Sequence, residues 1–285
     1  MKAILFRRRK LGRTSCREIS RLSQQGIQHV RNDQPFPDDI QMVFRWGCTS
    51  NLPIKVGKTV NTSEAIHTVA DKASFRKLTA DAGLAPATWL DYTNVPVDAQ
   101  GGLLGPLVVR RATHHQGKYL HVCKTLPELV RACQLYGEDY YISEYIPKVA
   151  EYRVFVVSGR VVWVANKTPA DKDAVAWNVA QGGRFDNVRF GNWPMRVVEA
   201  AIESFLLSGL DFGGVDVMVD EAGKAYVLEI NSAPSQTSPY RQLCTSKAFD
   251  YIVANGTDKL PVEYENGWRG VIHPAILPKQ GEIDG

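Results

Sequence analysis

Two apolar stretches, Val215 to Asp220 and Ala225 to Ile230, flank the four-residue segment Glu221-Ala222-Gly223-Lys224, a turn length that hairpins commonly use. Pairing them about that turn sets Asp216 opposite Glu229. Alternation then predicts Val215, Val217 and Val219 with Tyr226, Leu228 and Ile230 on one face, and Asp216, Glu229 and Asn231 on the other. Carboxylates facing one another at ~5 Å repel by ~3 kcal/mol at an effective dielectric of ~20, and a cation between them reverses the sign. Two carboxylates and an amide oxygen make a hard donor set, suited to a Mg²⁺ ion that keeps water and meets nucleotide phosphates and less suited to zinc. The other reading of the same spacing is a solvated hairpin face with Asn231 as a turn residue.

Cations crowd the amino end. Lys2, Arg7, Arg8, Arg9, Lys10, Arg13, Arg17 and Arg21 face Glu18 alone, although the whole chain carries a net charge of only +4. Such a cluster either docks an anion or is a solvated loop and helix face. The elements around it read as a strand (Ala3 to Phe6), a basic turn, a helix from about Thr14 to Gln25 closed by Gly26, and strands near Ile27 to Val30 and Ile40 to Trp46. This βαβ start predicts a small open α/β domain over residues 1–60, with the basic loop on its ligand edge. Lys55 to Val60 reads as a short connection.

Further on, Ser63 caps a predicted helix carrying Ala65, Ile66, Val69, Ala70, Phe75 and Leu78, which Gly83 and Pro86 end. Leu107 to Arg110 is a strand, Thr125 to Leu135 a helix, and Tyr140 to Ile146, Tyr152 to Val157 and Val161 to Ala165 are β-rich, the last two joined at Ser158-Gly159 as a hairpin. Arg196 to Leu207 is helical, and the Gly- and Pro-containing segment 257–285 reads as a weakly structured tail. The five cysteines (Cys16, Cys48, Cys123, Cys133, Cys244) are scattered and never form a CxxC pair, against both a disulfide framework and a zinc site. With no apolar run of ~18 residues and no signal-peptide core, the expectation is a cytoplasmic protein without membrane attachment.

Gly213-Gly214-Val215-Asp216 followed by Val227-Leu228-Glu229-Ile230-Asn231-Ser232-Ala233-Pro234 resembles the metal-binding end of ATP-grasp enzymes, in particular the branch of the ribosomal-protein glutamate ligase, and also that of D-alanine-D-alanine ligase. The likeness runs in consistent order over roughly residues 60–250. It implies an α/β (α+β) ATP-grasp fold: the amino-terminal domain, a lid subdomain over 61–147 and a metal-binding subdomain over 148–256, the two clamping ATP. By the same resemblance Asp216, Glu229 and Asn231 hold Mg²⁺, with Mn²⁺ as a substitute, on the phosphates. Lys72 reaches those phosphates, and Arg110 stands where the family usually has lysine. The segment through Gln116, Gly117 and Lys118 matches the lid loop, although it is poor in glycine and carries His114 and His115, which read as lid-surface residues ahead of acid-base groups. Glu144-Tyr145-Ile146 resembles the hinge whose backbone meets adenine, and Glu151 the carboxylate that accepts from ribose hydroxyls.

Near the transferred phosphoryl the resemblance places Arg153, Lys167, Asn178 and the Gly182-Gly183-Arg184 segment. Gly214 occupies the position where D-alanine-D-alanine ligase has an arginine, so that role passes to Arg153, Lys167 or Arg184, or goes unfilled. The implied activity is ATP- and Mg²⁺-dependent carboxylate-amine ligation through an acyl phosphate, which needs charge neutralisation and alignment more than a protein nucleophile. Alternatives are an ATP-grasp kinase, or a nucleotide- or nucleic-acid-binding module with little catalysis. The expected partners are small-molecule, amino-acid or peptide carboxylates and amines, an anionic substrate or nucleic acid at the basic loop, and a second copy of the chain, since many such ligases associate.

Overall fold

In a computed structural model of the chain, residues 1–8, 15–113, 120–171, 177 and 182–256 are described. Strands β1 (Ala3–Arg7), β2 (Gln28–Arg31), β3 (Met42–Trp46) and β4 (Lys58–Val60), with helix α1 (Ser15–Leu22), form an all-parallel sheet of order β2-β1-β3-β4. Parallel strands are covered on both faces, so β1 and β3 are buried throughout. The 55–60 segment, expected as a connection, supplies β4: Lys58, Thr59 and Val60 pair with Met42, Val43 and Phe44. Three residues, of which only Val60 is buried, are too few to set an alternation. Helix α1 ends at Leu22, and just beyond it Asp250, far along the chain, accepts from the backbone N–H groups of Gln24 and Gln25.

The helix predicted from Ser63 is two helices, α2 (Ser63–Ala70), capped by Thr62 and not Ser63, and α3 (Lys72–Asp81). Asp71, at ψ 87°, breaks the ladder and its carboxylate accepts from Ser74 N–H as the cap of α3. Lys72 therefore opens a new helix instead of sitting mid-helix. A second sheet, order β5-β8-β6-β7, is antiparallel and contains β5 (Thr88–Trp89), β6 (Leu107–Arg111), β7 (Leu120–Cys123) and β8 (Tyr140–Glu144), with α4 (Leu126–Tyr136) against it. A complete capping box between Thr125 and Glu128 starts α4.

The third sheet carries the site. It is antiparallel with order β11-β10-β9-β12-β13, built from β9 (Lys148–Val157), β10 (Arg160–Thr168), β11 (Arg184–Val188), β12 (Phe212–Asp220) and β13 (Ala225–Asn231). Ser158 and Gly159, both at positive φ, make the two-residue β9–β10 turn as expected. One face packs against α2, α3 and α5 (Met195–Ser208) through Val154, Val156, Val215, Val217 and Ile230. The other packs at one end against α6 (Pro239–Asn255) and the amino-terminal sheet, where Phe44, Trp46, Phe155, Phe212 and Phe249 stack. Asn61 ties linker to sheet: its N–H donates to Asp211 Oδ2 (2.6 Å), its side-chain oxygen accepts from Asp211 and Phe212 N–H, and its Nδ2 donates to Phe212 O.

The β12–β13 hairpin pairs Asp216 with Glu229 as expected, but not through a four-residue turn: Val219 pairs with Ala225, so residues 220–224 lie between the paired positions. Below that pair a β-bulge intervenes, and Val217 faces Val227 instead of Leu228. Val227, not Leu228, therefore joins Val215, Val217 and Ile230 in the core. At the bulge Val227 N–H donates to Leu84 O (2.7 Å) and its carbonyl accepts from the buried Arg76 of α3.

Candidate active site

Alternation along five paired strands lays the charged side chains out in rows. One row runs Glu229, Asp216, Arg153, Ala165; the next, two residues along, runs Met218, Glu151, Lys167, Phe185. These share the face that carries Phe155, Trp163 and Phe212. The site face is thus apolar under α6 and charged beyond it, instead of polar along its whole length.

Asp216, 3 % exposed, accepts from Arg153 Nε at 2.6 Å and Nη2 at 2.7 Å. Planar fork and carboxylate match, so the pair is bidentate. Burial disfavours the Arg153 charge, but Asp216, Glu229 and Glu151 outweigh it and raise its pKa. Across the ladder Glu229 accepts from Lys72 Nζ (3.2 Å) and from Asn231 Nδ2 (2.9 Å). Burial works against its ionisation, yet Lys72, Asn231 and Arg153 together hold its carboxyl well below the usual range. The repulsion that sequence spacing predicts between the carboxylates is relieved by Arg153 and Lys72, so these two side chains already supply positive charge to the pair.

In the second row Glu151, 2 % exposed, is gripped by Lys148 on one oxygen and Lys167 on the other. Both oxygens of Glu151 are thereby engaged by lysines, as both oxygens of Asp216 are by Arg153, and each keeps a further lone pair for a hydroxyl donor. Burial, Lys167 and Arg110 lower the Lys148 pKa against the pull of Glu151. Burial lowers the Arg76 pKa, and repulsion from Arg110 on β6 lowers it further. Lys72, Arg76, Arg110, Lys148, Arg153 and Lys167, from α3, β6, β9 and β10, thus gather around Asp216, Glu229 and Glu151, and cations outnumber acids there.

Arg184 is not part of this cluster. Its side chain is 74 % exposed and pairs with Asp186, because Phe185, one residue on, takes the inward position opposite Lys167. The Phe185 ring lies 4.8 Å from the Arg153 guanidinium and 5.7 Å from Lys167 Nζ. The inward cation that sequence reading missed is Arg241, on the first turn of α6, whose guanidinium lies 5.5 Å from both Phe185 and Trp163. Gly214 has no room for a side chain, since a Cβ there would stand 2.8 Å from Pro234 Cβ.

At the hinge, Glu144 is exposed, and the N–H groups of Glu144 and Tyr145 donate to Ala87 O and Pro106 O. Ile146 follows, half-buried. Gln116, Gly117, Lys118, His114, His115 and Asn178 lie outside the described residues. At the carboxyl end of β1, Arg7 Nε donates to His29 Nε2 of β2 (2.7 Å) and Arg8 Nη2 to Thr49 Oγ1 (2.7 Å). Burial and Arg7, Arg17 and Arg31 lower the His29 pKa, which keeps that ring nitrogen an acceptor.

Among the described residues no group of three or more His, Cys, Asp or Glu could hold a metal, and no helix is long and apolar enough to cross a membrane. The Asp216, Glu229 and Asn231 set still fits a hard cation. Its donors are all oxygen, and because Asn231 Nδ2 is spent on Glu229, the amide oxygen remains as an acceptor.

A family model described as "RimK-like ATP-grasp domain" matches residues 91–252. The D-alanine–D-alanine ligase of Laribacter hongkongensis is 29 % identical over 175 residues, 60 % of this chain and 51 % of that protein, so the chain spans about half the length of this relative. Among solved structures, the ATP-grasp ligase PsnB complexed with a minimal precursor has a TM-score of 0.61 at 13 % identity, covering 89 % of this chain and 99 % of that one. The D-alanine–D-alanine ligase of Bacillus anthracis complexed with ATP has a TM-score of 0.60 at 16 % identity, covering 90 % and 96 %. With the domain match spanning more than half its length, the chain belongs to the RimK-like ATP-grasp family.

Proposed function

We propose that the protein is an ATP- and Mg²⁺-dependent carboxylate-amine ligase, ADP-forming, that works through an acyl phosphate. The observation that carries this reading is the row Glu229, Asp216, Arg153 with Lys72 above it: two facing carboxylates and an amide oxygen, set in an excess of buried cations. A polyphosphate supplies the negative charge that such a face lacks. Bound at Asp216, Glu229 and Asn231, Mg²⁺ would neutralise phosphate charge. Lys72, Arg110, Lys148 and Lys167 then hold the phosphates, Glu144 to Ile146 the adenine, and residues 116–118 the lid, within units bounded near 60, 147 and 256. Arg153, in contact with Asp216 and next to Lys167, lies where a γ-phosphoryl moving to a substrate carboxylate can be held, and an amine then displaces phosphate from the acyl group.

PsnB in complex with its precursor makes peptide carboxylates reasonable candidates alongside amino acids. The basic edge at Arg7, Arg8 and Arg31 is our proposed docking surface for an anionic substrate. Five free, buried cysteines support a reducing cytoplasm as the compartment. The test is hydroxylamine trapping: with ATP, Mg²⁺ and a panel of amino acids and dipeptides, a ligase yields hydroxamate and ADP together. ADP without hydroxamate, accompanied by a phosphorylated hydroxyl product, would identify a kinase and overturn the reading.

A further inference from the structure

Arg241 is 3 % exposed, and its Nε is buried without a hydrogen-bond partner. Among the described residues the guanidinium has no ion pair either; its neighbours are the rings of Trp163 and Phe185. Most other aspects of its position are unfavourable to a cation. It lies beside Arg153, and burial together with that neighbour pushes its pKa down to about 10. The one acid acting on it, Asp186, is already bonded to Arg184 and Thr168. It also stands in the first turn of a seventeen-residue helix whose cap, Ser238, makes no side-chain capping bond, so the positive end of the helix adds to the charge around it. Ser238 Oγ instead accepts from Asn187 Nδ2, which anchors that end of α6 to β11.

A buried, unpaired charge costs several kcal/mol and persists only where something else compensates it. The rings of Trp163 and Phe185 fix the guanidinium in place and offer no hydrogen bonds. Trp163 and Phe185 sit on β10 and β11, so Arg241 lies on the opposite side of Arg153 from Asp216 and Glu229.

We infer that Arg241, with the uncapped N-terminus of α6, binds the carboxylate of a substrate and holds it beside the phosphoryl at Arg153. This rests on the ligase reading, because Arg153 marks the phosphoryl position only if the nucleotide sits over Asp216 and Glu229. The α6 site is distinct from the phosphate cations on α3, β6, β9 and β10. An Arg fork matches the two oxygens of a carboxylate, and Arg241 with Arg153 brackets that group from two sides.

The probe is sodium acetate, read as the thermal midpoint against sodium chloride at equal ionic strength, with sodium phosphate as a second arm. At about ten times its Kd, acetate should raise the midpoint of the wild type by about 3 °C. Arg241→Met, which removes an unpaired charge from an apolar slot, should fold, show no acetate-specific shift and keep the full shift given by a non-hydrolysable ATP analogue with Mg²⁺. Arg241→Lys should retain part of the acetate response. An acetate shift that persists in Arg241→Met, or that the wild type lacks, overturns the inference. A response to phosphate and not acetate, or loss of the nucleotide shift in Arg241→Met, assigns Arg241 to the nucleotide and overturns it too. Lys72→Met is the separate control: if it keeps the nucleotide shift, the placement of the nucleotide fails while the acetate result stands on its own.

Discussion

Asp216 gives both carboxylate oxygens to a single side chain, Arg153, on the neighbouring strand. The pair is nearly fully buried, with side-chain exposures of 5 % and 12 %. Removing one member leaves the other charged and unpaired, which costs about 3–5 kcal/mol. Asp216→Ala should therefore lose ADP production and stability together, whereas Asp216→Asn should fold closer to the wild type and still be inactive. Chemical denaturation read beside an ADP assay checks this, and an Asp216→Asn enzyme with near-normal turnover would remove Asp216 from the metal set.

Lys72 is the cation on Glu229, and both are a quarter to a third exposed. A charge-assisted contact to phosphate is worth roughly 1.5–3 kcal/mol, so Lys72→Met should raise the KM for ATP about ten- to a hundredfold. Stability should change little, since solvent screens the Lys72–Glu229 pair. Steady-state kinetics at saturating second substrate provides the measurement.

Glu229 links stability to acid. Its carboxyl is held below its unfolded value, so its contribution is complete above the ordinary glutamate pKa of about 4.3 and is lost as pH falls through the folded value. Between pH 6 and pH 3 the wild type should lose on the order of 1 kcal/mol more than Glu229→Gln, after allowance for screening. Parallel acid-induced slopes in thermal melts of the two proteins would contradict it.

Gly214 tests the close approach of Pro234. Gly214→Ala puts a methyl group 2.8 Å from a proline ring carbon, and neither strand nor ring can yield without moving Asn231, which pairs with residue 214. The cost should be about 1–3 kcal/mol. It should be accompanied by weaker Mg²⁺ dependence of nucleotide binding, measurable by calorimetry.

Phe249 stacks on Phe44 at 4.4 Å and edge-on to Phe212 at 4.9 Å, joining α6, the amino-terminal sheet and the site sheet in one aromatic cluster. Phe249→Ala should cost about 3–5 kcal/mol. Loss on that scale in urea unfolding, with the nucleotide-induced shift retained, would separate this packing from the site.

The Asp216–Glu229 pairing was legible because two departures from a regular four-residue hairpin cancel: the connection is one residue longer, and the bulge at Leu228 takes that residue up. The bulge was not: Tyr226, Leu228 and Ile230 alternate as cleanly as a regular strand, and what draws Val227 inward is Leu84 and Arg76, remote in sequence. Lys72 was visible only by resemblance, because the break at Asp71 that sets it on a first turn has no apolar signature. Arg184 rested on resemblance alone, and nothing in the Gly182-Gly183-Arg184 run shows the phase of β11, which turns Phe185 inward and Arg184 outward. Arg241 went unseen since α6 buries Arg241, Gln242, Thr245 and Ser246 together with its apolar residues, which blurs the helical stripe. The grip of Lys148 and Lys167 on Glu151 was not legible, since Lys167 reaches it across the β9–β10 pairing from sixteen residues away.

The bulge beside Leu228 divides the hairpin into two independently phased halves. Toward the turn the pairing is offset by one position, and the extra residue absorbs that offset before it reaches Asp216 and Glu229. Arg76 and Leu84 fasten that break from outside the sheet, so the spacing of the carboxylates is insulated from change at the exposed turn. The 221–224 loop is accordingly the part of this subdomain where relatives can differ in length, or an inserted tag can be carried, while the two acids keep facing each other.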